Sequence, residues 1–228
     1  MNYTFILLSG GIGKRMQNSI PKQYMLLAGK PMIMHVLEKI DEIDEIEKII
    51  IVCTDDYRDE INLMIGQYGI RKAISYAKAG KSRQESVFSG LKEAETDNVI
   101  IHEAARPFVT TEDYRRLIED SNENAITGID IPFTVIKGGE YVEDLLTRSE
   151  LINVQLPQKF NTKNLIEAHK QAEKDKNSFT EDASLLHYYY PETPIHIVEG
   201  RDYNIKITNN MDMLTGEIVY DEIFRRRR

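Results

Sequence analysis

Hydrophobic and polar positions along the first half of the chain fall into two alternating patterns. Short apolar runs stopped by glycine or polar residues are typical of buried parallel strands, and longer segments with apolar residues at helical spacing predict helices. The predicted strands lie within residues 3–9, 47–54, 72–80 and 97–110. The predicted helices are residues 31–43, 57–69, 82–94 and 110–123. This alternation predicts an α/β fold, with a doubly wound, mostly parallel sheet and helices on both faces.

The pattern changes at about residue 128, where a β-rich segment follows. Gly138 and Gly139 predict a hairpin turn within it. A hairpin that protrudes from an α/β body exposes its edges, and a second subunit would cover them. We therefore expect a single domain over residues 1–228, an inserted β-arm at residues 132–156, and a homodimer formed through that arm. Beyond the arm, the pattern predicts helices at 161–175, 181–190 and 209–224 and a strand at 194–200.

Composition restricts the class of partner. The chain has 228 residues, of which 41% are hydrophobic, and a net charge of −8. An acidic chain has no general attraction to nucleic acid, so an anionic ligand must be held by a local concentration of basic residues. The single cysteine, Cys53, cannot form an internal disulfide and is expected to be a buried thiol. Without a signal-peptide pattern or an apolar run near the roughly 18 residues that span a bilayer, we expect a cytoplasmic protein with no membrane partner.

Glycine and basic residues follow several of the predicted strands. The stretches are "SGGIGKR" (9–15), "AGKSR" (79–83), "HEAAR" (102–106) and "GRDYNIK" (200–206). Ligands of open α/β sheets bind beyond the carboxyl ends of the strands, so we expect these stretches to meet at one edge. Glycine lets the backbone approach a ligand closely, and amide and basic groups attract phosphate oxygens. Pro21-Lys22-Gln23 returns another lysine to the same neighbourhood, and the pattern therefore predicts a site for a phosphate compound.

Two common phosphate motifs do not fit the first of these loops. A P-loop needs Ser or Thr after Gly13-Lys14, but Arg15 stands there. The dinucleotide fingerprint needs a third small residue where Met16 stands, and no clear ribose-binding acid follows about 20 residues later. A nicotinamide-dependent oxidoreductase is therefore disfavoured. The alternative for the loop alone is a tight turn whose basic residues are only solvated.

The stretch "HEAARPF" places an acid and an arginine at the end of a buried strand. Glu103 has the hard oxygen ligands that suit a magnesium ion bridging phosphates. An ion pair between Glu103 and Arg106 is the alternative. His102 is expected to be a packed core histidine without a chemical role.

The ordered set "GGIGKRM…PKQY", "GKSRQESV", "EAARPF", "PQKF", "EDAS" and "VEGRDYNIKIT" resembles the 2-C-methyl-D-erythritol 4-phosphate cytidylyltransferases and their relatives, the ribitol 5-phosphate cytidylyltransferases. The resemblance runs from about residue 3 to 215. It implies a Rossmann-like nucleotidyltransferase that converts CTP and a polyol phosphate to a CDP-polyol and pyrophosphate, with Mg²⁺ required. It also places the predicted arm between subunits of a dimer.

The resemblance implies a role for each matching residue. CTP would be bound by Ser9, Gly10, Gly11, Gly13, Lys14, Gly80, Lys81, Arg83 and Ser86. The catalytic cations around the phosphates would be Arg15, Lys22 and Lys206. The polyol phosphate would be bound by Arg106, Thr134 and Arg148, and Glu103 would hold the metal. Because the attacking phosphate is already a competent nucleophile near neutral pH, such a site needs no general base.

Three departures from the family pattern leave the polyol open. Glu103 stands where the family usually has aspartate, and Leu156 replaces a threonine that would contact the substrate phosphate. The tyrosine of "DYNIK" is similar to the ribitol branch, whereas "AARP" and "VEGR" favour methylerythritol. Methylerythritol phosphate is the first interpretation, with ribitol phosphate or another polyol phosphate for a surface polymer as the alternative. Glu103 and Leu156 also motivate a third possibility, a non-catalytic nucleotide-binding homologue.

Overall fold

The computed structural model describes residues 2–11 and 20–226. The strands are β1 (Tyr3–Leu8), β2 (Leu26–Leu27), β3 (Lys30–Pro31), β4 (Ile46–Cys53), β5 (Ala73–Lys78), β6 (Asn98–Glu103), β7 (Ala125–Asp130), β8 (Ile136–Gly138), β9 (Val142–Leu145), β10 (Ile152–Asn161) and β11 (His196–Glu199). The helices are α1 (Met32–Asp41), α2 (Arg58–Tyr68), α3 (Arg83–Leu91), α4 (Thr111–Glu119), α5 (Thr162–Asp175), α6 (Asp182–Tyr189) and α7 (Asn210–Tyr220). None of the described helices is long and apolar enough to cross a bilayer.

Seven strands form one central sheet in the order β11-β7-β10-β6-β1-β4-β5. β10 is antiparallel to both of its neighbours, β6 and β7, and the other pairs in this sheet are parallel. The predicted α/β fold with a mostly parallel sheet is therefore confirmed. The sequence pattern did not indicate the direction of β10, because apolar runs look alike in buried strands of either direction.

Alternate side chains of β1 pack into two hydrophobic clusters on opposite faces of the sheet. Phe5 and Leu7 pack into the cluster that includes apolar residues of α1, α2 and α4. Ile6 and Leu8 pack into the cluster that includes residues of α3, α5 and α6. This two-sided burial is what a doubly wound sheet requires, and it explains why the strands are continuous apolar runs in the sequence.

Two helix ends have the local geometry that their residue types favour. Gly69 closes α2 in the left-handed region with φ of 67°, where a side chain would strain the backbone. Thr110 caps α4, and its side chain accepts a hydrogen bond from the Asp113 amide while the Asp113 side chain accepts one from the Thr110 amide. These local contacts fix the end of α2 and the start of α4.

The segment around the predicted arm leaves the central sheet. β8 and β9 pair only with each other within the described structure, as an antiparallel hairpin whose strand residues are all exposed. The exposed apolar side chains of the predicted arm include Phe133, Tyr141 and Leu145, which are about three-quarters exposed (75%, 76% and 76%). The last five residues of the predicted arm, 152–156, belong to β10 and pair with β7 as far as Gln155.

Candidate functional site

A cavity of about 550 Å³ opens at the carboxyl ends of the adjacent strands β6, β1, β4 and β5. Each strand end delivers part of the wall: Ser9 follows β1, Thr54 follows β4, Ala79 follows β5, and Glu103 ends β6. The described residues lining the cavity are Leu8, Ser9, Gly10, Gly11, Lys22, Gln23, Thr54, Ala79, Gly80, Lys81, Ser82, Arg83, Ser86, Glu103, Ala105, Lys206 and Thr208. The loops after parallel strands therefore converge, as the sequence predicts.

The structure brings together ten of the residues singled out from the sequence. These are Ser9, Gly10, Gly11, Lys22, Gly80, Lys81, Arg83, Ser86, Glu103 and Lys206. The predicted positions Gly13, Lys14 and Arg15 lie outside the described residues. Arg106, Thr134 and Arg148 do not line this cavity.

Those three residues lie in two places. Arg106 is partly buried, and its Nη1 donates a hydrogen bond to the carbonyl oxygen of Asn204 at 2.9 Å. Thr134 and Arg148 are exposed on the arm segment. Within one chain, the arm therefore does not bring its two predicted substrate contacts to the cavity.

The backbone of the first cavity loop is bound by Gln23, a buried residue to which the sequence patterns assign no role. Gln23 Nε2 donates to the carbonyl oxygens of Ser9 at 2.6 Å and Gly11 at 2.9 Å. Lys22, its neighbour, enters the cavity wall while its Nζ donates to the carbonyl oxygen of Ile207 at 2.6 Å. The "PKQY" stretch therefore supplies both a cation and the clamp that shapes the glycine loop.

The second cavity loop is shaped by Ser86. Its hydroxyl accepts a hydrogen bond from the Gly80 amide at 3.0 Å and donates to the carbonyl oxygen of Ser82 at 2.8 Å. A Cβ on Gly80 would come within 2.3 Å of Glu85 Cβ, so the close approach of the loop to α3 requires glycine. Ser86 thereby fixes the backbone of the stretch predicted to bind nucleotide.

Gly10→Ala is expected to damage the cavity, whereas Gly11→Ala is its matched control. A Cβ on Gly10 would lie 2.3 Å from Ala79 Cβ, so the first two loops would be forced apart. At Gly11 a Cβ meets no atom of the described residues within 4 Å. Overpacking of this kind costs about 1–3 kcal/mol. Denaturant titration should show that loss for Gly10→Ala alone, and equal stability of the two variants would contradict this account.

Glu103 lines the cavity between two cations. Its Oε1 is 3.3 Å from Arg83 Nε, and its Oε2 is 2.5 Å from Lys206 Nζ. Burial acts to raise the pKa of Glu103, but Lys206 and Arg83 together hold it below its ordinary value. The carboxylate is therefore ionised at neutral pH. Among the described residues, its ion-pair partners are Arg83 and Lys206. The alternative pairing with Arg106 is not formed, and Arg106 Nη1 donates instead to the carbonyl oxygen of Asn204.

His102 has the structural role expected from the sequence. It is fully buried, and burial lowers its pKa to about 3, so the ring is neutral at neutral pH. Its Nε2 is 3.0 Å from the carbonyl oxygen of Arg106, which a neutral Nε2–H tautomer satisfies by donating. Leu156 is also structural, since it is buried in the hydrophobic cluster and does not line the cavity.

The loop that carries Lys206 is fixed by residues distant in sequence. Asn204 Nδ2 donates to the carbonyl oxygen of Leu156 at 2.7 Å, and Gln155 Nε2 donates to that of Arg201 at 3.0 Å. The Tyr203 hydroxyl donates to Asp113 Oδ2 at 2.8 Å. The motifs "PQKF" and "DYNIK" lie in or next to these segments. Nothing in the sequence indicates that the two segments contact each other.

The cavity is basic although the chain is acidic. Among its described lining residues are four cations, Lys22, Lys81, Arg83 and Lys206, and one carboxylate, Glu103. Such a wall attracts an anionic ligand with several phosphates. No group of three or more His, Cys, Asp or Glu side chains among the described residues is arranged to hold a metal. A magnesium ion would therefore have one protein carboxylate here, that of Glu103, and phosphate oxygens and water would supply its other ligands.

Comparison with known proteins identifies relatives over nearly the whole chain. The sequence profile of the 2-C-methyl-D-erythritol 4-phosphate cytidylyltransferase family matches residues 4–222. The enzyme of that name from Halalkalibacterium halodurans is 34% identical, covering 99% of this chain and 100% of its own length. The chloroplastic enzyme from Oryza sativa is 34% identical, covering 95% of this chain and 74% of its own length. The crystal structure of the 4-diphosphocytidyl-2C-methyl-D-erythritol synthase from Anaerococcus prevotii superposes with a TM-score of 0.85 at 26% identity, covering 95% of each chain.

Proposed function

Because this chain belongs to the 2-C-methyl-D-erythritol 4-phosphate cytidylyltransferase family, we propose that the basic cavity is where it transfers CMP from CTP to that polyol phosphate. Pyrophosphate is the second product. The observation that carries this assignment is the convergence of Lys22, Arg83 and Lys206 with a glycine loop at one edge of the sheet. Two phosphate-bearing reactants repel one another, and clustered cations bring them together for in-line attack.

The chemistry needs charge and alignment more than proton transfer. A phosphate monoester is largely doubly ionised near neutral pH, so its oxygen attacks the α-phosphorus of CTP without a general base. Lys22 and Lys206 would stabilise the negative charge that develops around that phosphorus and on the departing pyrophosphate. The described lining accordingly contains basic side chains and backbone amides, but no His or Cys.

The polyol is methylerythritol phosphate rather than ribitol phosphate. The matching family profile and the curated relatives carry the methylerythritol name. The tyrosine of "DYNIK", which suggested the ribitol branch, has a structural partner because the Tyr203 hydroxyl bonds to Asp113. Tyr203 therefore gives no support for ribitol as substrate.

Magnesium is the cofactor that Glu103 is suited to hold. Its carboxylate is ionised and lines the cavity beside Arg83 and Lys206. A bound magnesium ion would neutralise phosphate charge and orient the triphosphate. Arg83 and Lys206 would then share the carboxylate with the metal.

A homodimer through the arm would complete the polyol site. Thr134 and Arg148 are exposed on the arm and outside the chain's own cavity, and the arm carries the exposed apolar side chains Phe133, Tyr141 and Leu145. A second copy would cover these apolar groups. Light scattering that gives the mass of one chain at micromolar concentration would contradict the dimer.

The buried free thiol of Cys53 supports a reducing, cytoplasmic location.

The assay that tests the function measures pyrophosphate release. The chain is incubated with Mg²⁺ and CTP together with methylerythritol 4-phosphate, ribitol 5-phosphate or glycerol 3-phosphate in parallel, and ATP replaces CTP as the nucleotide control. Release with CTP and methylerythritol phosphate alone is the expected result. A preference for ribitol phosphate would overturn the substrate, and silence with all three would favour a non-catalytic nucleotide-binding homologue.

A further inference from the structure

A row of alternating charges runs from the cavity into the core. It begins with the Lys206–Glu103 ion pair and continues through Arg83, whose Nε faces Glu103 and whose Nη2 lies 2.7 Å from Asp182 Oδ2. Asp182 Oδ1 lies 3.6 Å from Nε2 of the buried His169. Arg83 lines the cavity, whereas Asp182 and His169 do not.

Asp182 is a buried carboxylate whose charge is retained. It is 1% exposed and stands in the first turn of α6, where the helix dipole favours a negative charge. Burial acts to raise its pKa, but Arg83 and then His169 bring it below the ordinary value of aspartate. Separating such a buried carboxylate from its cation is costly, so Asp182 restrains the position of the guanidinium.

The surroundings of Asp182 leave it little freedom to move. His169, on α5, stacks on Phe88 with ring centroids 5.3 Å apart and an angle of 9° between the planes. Phe88 and Arg83 are both on α3. The carboxylate is therefore enclosed where α3, α5 and α6 meet, and its contact with Arg83 is set by the packing of three helices.

Arg83 has a planar guanidinium whose donors have fixed directions. Its Nε and Nη2 face carboxylates, so the plane of the group is determined from two sides. The position of the remaining donors in the cavity wall follows from that plane. A small displacement of a group that orients a reactant lowers the rate steeply, because the alignment of the reaction depends on it.

We propose that Asp182 is a positioning residue for the reaction, acting through Arg83. Its buried carboxylate fixes the guanidinium against the cavity wall, so that Arg83 holds CTP in one orientation and shares Glu103 with Lys206. The inference rests on the proposed role of Arg83 in holding CTP. It adds to the site a residue that touches neither substrate.

The test is a double-mutant cycle with Asp182→Asn, Arg83→Gln and the double variant, with kcat and the KM for each substrate measured for all four proteins. We expect each single variant to raise the KM for CTP about tenfold or more and to change the KM for the polyol phosphate less than threefold. The double variant should resemble Arg83→Gln alone, because Asp182 acts through that side chain. Asp175→Asn, at an exposed aspartate on α5, is the matched control and should retain wild-type kinetics.

If Asp182→Asn does not fold, Asp182→Glu replaces it in the test, because it retains the charge but lengthens the side chain by one methylene. It should still raise the KM for CTP. Wild-type kinetics in either Asp182 variant, or multiplying losses in the double variant, would overturn the inference. An active wild type with an unaffected Arg83→Gln variant would instead refute the role of Arg83, and an inactive wild type would refute the proposed function.

Discussion

Lys22→Met is expected to lower kcat about 100-fold or more while the KM for CTP changes less than threefold. Removing one donor that stabilises charge in the transition state has an effect of this size. Lys22 lies in the cavity wall beside the glycine loop, and its neighbour Gln23 bonds through its side chain to the carbonyl oxygens of that loop. Its charge would act on the phosphorus under attack more than on the bound triphosphate, so the loss should appear in kcat. Steady-state kinetics with CTP varied at saturating polyol phosphate measure both constants.

Two further variants separate charge from general damage. Lys163→Met removes an exposed lysine on α5 and should leave the kinetics unchanged. Lys22→Arg keeps the charge and should recover part of the lost turnover, although its planar head cannot copy the ammonium geometry. A Lys22→Met variant that binds CTP poorly but turns over normally at saturation would show that Lys22 serves binding rather than catalysis.

Glu103→Gln should lower kcat/KM about 100-fold or more and raise the Mg²⁺ concentration needed for half-maximal activity. The amide retains the shape of the side chain but loses the charge that a metal ion needs and that balances Arg83 and Lys206. The loss of several kcal/mol of charge stabilisation corresponds to a rate effect of at least this order. Activity is measured across a Mg²⁺ titration at fixed CTP, with chemical denaturation confirming that the variant is folded.

The matched control for this exchange is Glu103→Asp. It keeps the carboxylate and restores the residue usual in the family, but its side chain is one methylene shorter. We therefore expect it to retain activity within about tenfold of the wild type. If Glu103→Gln showed the wild-type Mg²⁺ dependence, Glu103 would be a structural counter-ion for its two cations and the metal would be held elsewhere.

Much of the fold, and the placement of several residues in the cavity lining, were predictable because both depend on local patterns. Apolar runs and helical periodicity are local, and parallel topology then requires the loops after β1, β4, β5 and β6 to share one edge. Gly10, Gly80 and Lys22 accordingly line the same cavity. At both Gly10 and Gly80 a Cβ atom would clash with a neighbouring residue, so glycine is required there for steric reasons.

The supporting residues were missed because their partners are distant in the chain. Tyr203 bonds to Asp113 across 90 positions, and Asn204 meets the Leu156 carbonyl across 48. A buried carboxylate such as Asp182 looks like a surface residue until the packing of three helices is known. The sequence indicates the groups that face a ligand more readily than the groups that hold them in place.

The antiparallel direction of β10 determines the edge of the sheet at which the segment between β7 and β10 lies. Because β10 opposes β7, with Ile152 beside Asp130, the hairpin between them emerges at the edge where β6 delivers Glu103. A parallel β10 would have required a crossover to the far edge before the chain could return. A change in the length of this segment over evolution would therefore alter the exposed arm and leave the hydrophobic interior unchanged.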